Sequence, residues 1–235
     1  MDSLAARILI AAVAVYLCAC SQPGPASRQL TPAKTDTPQV KATPSKPAAP
    51  DDNRPTIVAF GNSLTAGYGL KDSESYPSQL QLMLDTSGYR YRVVNAGVSG
   101  DTSAQGLNRI QIVLDYRPTL VIVELGPNDG LRGMPIESTK ANLSDIIQQC
   151  QKAGANIVLA GMTLPPNYTR AYIQAFERIY VDLAREYQVA LIPFFLEGVA
   201  TRQGLNLDDG IHPNAEGSKI VAVNVLKTLL PLLKK

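Results

Sequence analysis

Histidine occurs once in the 235 residues, at His212, and the three cysteines form no cluster, so ligands are too few for a zinc site and no metal is expected. An excess of one charge is lacking too. The 22 basic residues stand against 20 acidic ones, with no long run of either, and this removes the electrostatic footprint of a nucleic-acid binder. Gly-rich phosphate loops are absent, so no nucleotide cofactor is expected, and no internal repeat suggests a solenoid. What is present is a chain of 45% hydrophobic and 18% charged residues, enough for one sizeable core. A monomer acting on small, weakly charged molecules is the expectation.

Residues 1–19 join a charged start (MDSLAAR) to an apolar stretch, Ile8 to Ala19, that is too short to span a bilayer comfortably, and they read as an export signal. The segment Leu17-Cys18-Ala19-Cys20 resembles the lipobox of bacterial lipoproteins. That resemblance implies cleavage before Cys20, lipidation of Cys20, and a lipid-anchored protein on the periplasmic face of the cell envelope. Ser21 favours the outer membrane by the same analogy. Between Ser21 and Pro55 lie eight of the 17 prolines and almost no large apolar residues. Such a stretch cannot bury enough surface to offset its ordering entropy, so residues 20–54 are expected to be a disordered tether and 55–235 the folded domain. With Cys18 removed and Cys20 acylated, Cys150 is the one free thiol and no disulfide is available; its helical spacing in NLSDIIQQCQKAG predicts a packed core cysteine.

From Thr56 onward, short β-branched runs alternate with longer amphipathic segments. Strands are expected at Thr56–Phe60, Tyr91–Asn95, Leu120–Leu125, Asn156–Ala160 and Val189–Ile192. Helices are expected at Ser75–Thr86, Ser103–Tyr116, Ser138–Ala153, Arg170–Tyr187 and Asn214–Leu232. Near-continuous apolar strands separated by helices predict an α/β fold: a three-layer α/β/α sandwich around a flavodoxin-like, five-stranded parallel sheet. Ligands of such sheets bind beyond the carboxyl ends of the strands, where Ser63, Gly100, Asn128 and the Asp209–His212 pair all fall.

Acyl transfer needs a nucleophile, a base, a group that orients the base, and donors for an oxyanion. Ser63 lies in a strand-to-helix turn between Gly61 and Gly67, and is the candidate nucleophile. His212 is the candidate base, with Asp209 three residues before it to hold the imidazole. Backbone N–H groups of Ser63 and Gly100 and the side-chain amide of Asn128 are the candidate oxyanion hole. Singly, these residues can be a helix cap, a turn, an Asx-turn or a local hydrogen bond. Jointly, in this order after successive strands, they point to a serine hydrolase.

The blocks AFGNSLTAGYG, VVNAGVSGDTSAQGLNRI, VIVELGPNDGLRGMP and DDGIHPNAEG resemble those of the SGNH (GDSL-like) hydrolases, and most of all the thioesterase I, lysophospholipase L1 and arylesterase branch. The resemblance implies hydrolysis of carboxylic esters or thioesters, with lipid esters among the substrates, through an acyl-enzyme on Ser63 and without a cofactor. One departure stands out: the family's usual Gly-Asp-Ser-Leu reads Gly61-Asn62-Ser63-Leu64, an amide in place of a carboxylate beside the nucleophile. Apolar side chains in the loops Asp129–Ile136 and Met162–Tyr168, Leu131 and Met134 among them, are candidates for an acyl-chain groove. Two other readings use the same residues: a short-chain deacetylase of envelope polysaccharide, and a catalytically silent lipoprotein.

Overall fold

The computed structural model describes residues 53–235. The expected lipidation site Cys20 and almost all of the tether lie outside them. Five strands, β1 (Thr56–Gly61), β2 (Arg92–Gly97), β3 (Leu120–Glu124), β4 (Asn156–Ala160) and β5 (Ala190–Ile192), form one parallel sheet in the order β2-β1-β3-β4-β5. β1 and β3 are buried along their whole length, as central strands covered on both faces must be. The order reverses between β1 and β3, the switch point at which sheets of this topology open a crevice. Register there is tight: Gly61, the last residue of β1, lies opposite Gly97 on one side and Glu124 on the other.

Among the described residues eight α-helices accompany the strands: α1 (Ser63–Ala66), α2 (Tyr76–Thr86), α3 (Ser103–Asn108), α4 (Ile110–Leu114), α5 (Pro127–Leu131), α6 (Ile136–Lys152) and α7 (Arg170–Glu186) between them, and α8 (Ala215–Leu229) after the last. α2 packs with α8, while α3, α4 and α7 pack against α6, giving the two outer layers of the α/β/α sandwich. The long helices bury one stripe each. In α6 it is Thr139, Leu143, Ile146, Ile147 and Cys150, at the helical spacing of one face. Each fully buried Leu or Ile contributes about 1.5–3 kcal/mol to holding that layer on the sheet. Cys150 is a packed residue of this stripe, and burial pushes its thiol up to about 12.

Three expected elements differ from those observed. The helix expected over Ser103–Tyr116 is broken at Arg109, which ends α3 and begins α4. Its guanidinium turns inward to donate to Asp101 Oδ2 (2.6 Å), the Ala96 carbonyl (2.8 Å) and the Gly61 carbonyl (2.9 Å), and stacks on the Phe60 ring. α8 stops at Leu229, and Leu230–Leu232 tighten into a 3₁₀ turn because Pro231 cannot continue the helical ladder. The segment after β3, expected as a loop, is the short helix α5.

Candidate active site

β1 ends at Gly61, and the chain turns at once into α1, with Ser63 as its first residue. Asn62 caps that helix, its Oδ1 accepting the Leu64 N–H at 2.9 Å. The turn is possible because Gly97 opposes it: a Cβ at Gly97 would lie 2.2 Å from the Ala66 nitrogen. Gly67, at φ +79°, ends α1 in the left-handed conformation that glycine tolerates.

The loop between β5 and α8 delivers the other two polar groups. Asp209 Oδ1 accepts the backbone N–H groups of Ile211 and His212, both at 3.0 Å. Its Oδ2 lies 2.7 Å from His212 Nδ1, and His212 Nε2 lies 2.8 Å from Ser63 Oγ. Burial alone would raise the Asp209 carboxyl, but the hydrogen bonds from the His212 ring and the two backbone N–H groups outweigh it and hold the group below its usual value. A charged acceptor at Nδ1 leaves Nε2 facing the hydroxyl, the tautomer needed to take a proton from Ser63. Tyr68, half exposed, lies against the imidazole with ring centroids 4.6 Å apart and the planes tilted by 37°.

Gly100 and Asn128 meet at the neighbouring strand ends. Among the described residues, the backbone N–H groups of Ser63 and Gly100 donate to no protein acceptor. Asn128 gives one amide hydrogen to the Asp101 carbonyl at 2.9 Å, which fixes the side chain and leaves its second hydrogen uncommitted. Beneath this loop the Asp101–Arg109 ion pair ties it to the ends of β1 and β2. Next to Asn128, buried Asp129 accepts the Ser103 backbone N–H at 2.8 Å and the Ser103 hydroxyl, locking α5 to α3.

Ser63, Gly100, Asn128 and His212 line one open cavity of about 400 Å³. Its remaining wall is mostly apolar and includes Leu131, Met162, Leu164, Pro166, Phe194 and Ile211. Both loops expected to border the groove do so, through Leu131 and through the segment starting at Met162. Met134 does not: its position is set by α7, where the Tyr172 hydroxyl donates to its carbonyl at 2.8 Å. Residue patterns alone did not single out Tyr68, Arg109 or Glu124. Glu124 had a visible signal, as the one acid in the otherwise apolar strand LVIVE.

Comparison with known proteins gives a consistent picture. The model of the GDSL-like lipase/acylhydrolase family matches residues 59–220. "Esterase TesA" of Pseudomonas aeruginosa is 46% identical over 179 residues, covering 76% of this chain and 89% of the relative. "Thioesterase 1/protease 1/lysophospholipase L1" of Escherichia coli K12 is 42% identical over 179 residues, covering 76% and 85%. A crystal structure of TesA matches this fold with a TM-score of 0.74 at 46% identity, covering 76% of this chain and 99% of that one.

Proposed function

The chain belongs to the GDSL-like lipase/acylhydrolase family and is a serine ester hydrolase, in which we propose that Ser63 is the nucleophile, His212 its base and Asp209 the group that orients the base. Ser63 Oγ attacks the ester carbonyl carbon while His212 Nε2 takes its proton. Asp209 stabilises the imidazolium through Nδ1. Negative charge developing on the carbonyl oxygen is met by the N–H groups of Ser63 and Gly100 and by the Asn128 amide. Collapse of the tetrahedral intermediate breaks the C–O bond of an ester or the C–S bond of a thioester, and the leaving alcohol or thiol takes the proton from His212. Water, deprotonated by the same imidazole, then frees the acid from the acyl-enzyme.

The observation that carries this reading is the unbroken line from Asp209 Oδ2 to His212 (2.7 Å) and from His212 to Ser63 Oγ (2.8 Å) at the mouth of an apolar cavity. Asn62 competes with it only weakly, its Oδ1 lying 3.5 Å from Ser63 Oγ against 2.8 Å for His212 Nε2. The amide keeps the helix cap that a carboxylate would supply, and no charge at that position enters the proton path. The apolar wall supports acyl chains longer than acetyl as substrates. The N-terminal pattern around Cys20 supports a lipid-anchored enzyme in the bacterial envelope, acting on lysophospholipids and related esters there.

The test is hydrolysis of p-nitrophenyl esters from acetyl to long acyl chains by the wild type and by Ser63→Ala. Turnover that rises with chain length and disappears in the variant is expected. Activity confined to acetyl would indicate a deacetylase, and none on any ester a silent lipoprotein.

A further inference from the structure

β3 carries one acid, and it is completely buried. Glu124 is 0% exposed and lies directly beneath the turn that presents Ser63. Its Oε1 accepts the Asn62 side-chain amide at 2.8 Å. Its Oε2 accepts the Asn62 backbone N–H at 3.2 Å and the Thr65 hydroxyl at 2.9 Å. Gly61 makes the room, since a Cβ there would stand 2.6 Å from Glu124 Oε2. Asn62 is therefore used at both ends: its NH₂ group is held by Glu124, and its oxygen faces the start of α1. Ser63 is the next residue.

Among the described residues Glu124 has no ion-pair partner. Tyr76 from α2 and Tyr180 from α7 face it, and burial together with its charge keeps both phenols neutral. Burial also pushes the Glu124 carboxyl up to about 8, against the hydrogen bonds from Thr65 and Asn62. Each of those three donors suits the ionised acid, and the Asn62 amide bond at Oε1 survives when a proton sits on Oε2.

We infer that Glu124 is a positioning residue for the Ser63 turn and that Asn62 is its matched partner, an amide that lets the turn keep its shape whether or not Glu124 holds a proton. The inference rests on Ser63 being the nucleophile. A carboxylate at 62 would face Glu124 across the 2.8 Å contact, and two carboxylates that close cannot both ionise. The turn of Asn62→Asp would thus depend on one retained proton. Adding Glu124→Gln reverses the pair: the new amide donates to the new carboxylate, and its carbonyl accepts from the residue 62 N–H and Thr65.

The experiment measures kcat, KM and melting temperature against pH for the full chain, for Asn62→Asp and for Asn62→Asp/Glu124→Gln. In Asn62→Asp, kcat falls by about tenfold per pH unit once the shared proton leaves, with KM little changed, because a displaced nucleophile costs rate before binding. Its melting temperature goes on falling at alkaline pH after that of the wild type has levelled. The double variant regains the wild-type shape of both profiles. Profiles of Asn62→Asp that match the wild type, or a double variant no better than the single, would overturn the inference. The melting series reads the pair without using Ser63, so activity surviving in Ser63→Ala would defeat the nucleophile assignment separately.

Discussion

Asp209 is pulled two ways, upward by partial burial and downward, more strongly, by three hydrogen bonds to its charged form. Because its folded value lies below the unfolded one, its contribution to stability is present above the usual carboxylate range and is lost only as pH falls through the depressed value. Replacing it by asparagine keeps the shape but removes the charge that fixes the imidazole tautomer. In Asp209→Asn we expect kcat to drop on the order of 10³–10⁴-fold, with a slightly lower melting temperature at neutral pH, where the charged form's contribution is lost, and an intact fold. Circular dichroism and ester turnover on one preparation check both halves. At this scale the sequence was readable where chemistry demands a residue type: the single histidine falls in the loop after the last strand, three residues beyond an aspartate. Glu124 and Tyr68 escaped, because each acts through a tertiary contact, with Asn62 and with the His212 ring, that spacing along the chain does not encode.

Among the elements, the junction of β1 and α1 fixes the geometry of everything else. α1 lies so close to the end of β2 that Gly97 has no room for a methyl group: a Cβ would meet backbone atoms of Thr65 and Ala66 at 2.2 to 2.7 Å. Backbone cannot yield as a side-chain tip can. Gly97→Ala is therefore expected to destabilise the fold by about 3 kcal/mol, and to lower turnover further by displacing the turn, as read by urea unfolding and by ester hydrolysis. The strands were legible because a doubly covered sheet needs near-continuous apolar runs, and β1, β3 and β4 each hold one. The break between α3 and α4 was not, since the apolar period continues through Arg109 while its side chain is drawn inward by Asp101 and two carbonyls. α1 and α5, of four and five residues, are too short to show any period.

For the whole molecule, the parallel sheet, its core and the line from Asp209 to Ser63 all lie within residues 53–235, so turnover should not require the segment before them. That segment carries the proposed address. If Cys20 is the lipid anchor, Cys20→Ser should move the enzyme from the membrane fraction to the soluble periplasmic fraction of a bacterial host, with specific activity on short soluble esters unchanged. Fractionation followed by an esterase assay measures both; a wild-type enzyme recovered in the soluble fraction would rule out the anchor.

The most direct measurement is covalent labelling of the full chain with an alkyl fluorophosphonate, which reacts with a serine only where a base activates it, followed by peptide mass analysis. One adduct is expected, on Ser63, formed rapidly in the wild type and at least about 10³-fold more slowly in His212→Ala. An adduct on another residue, equal labelling in His212→Ala, or undiminished labelling in Ser63→Ala would contradict Ser63 as the activated nucleophile.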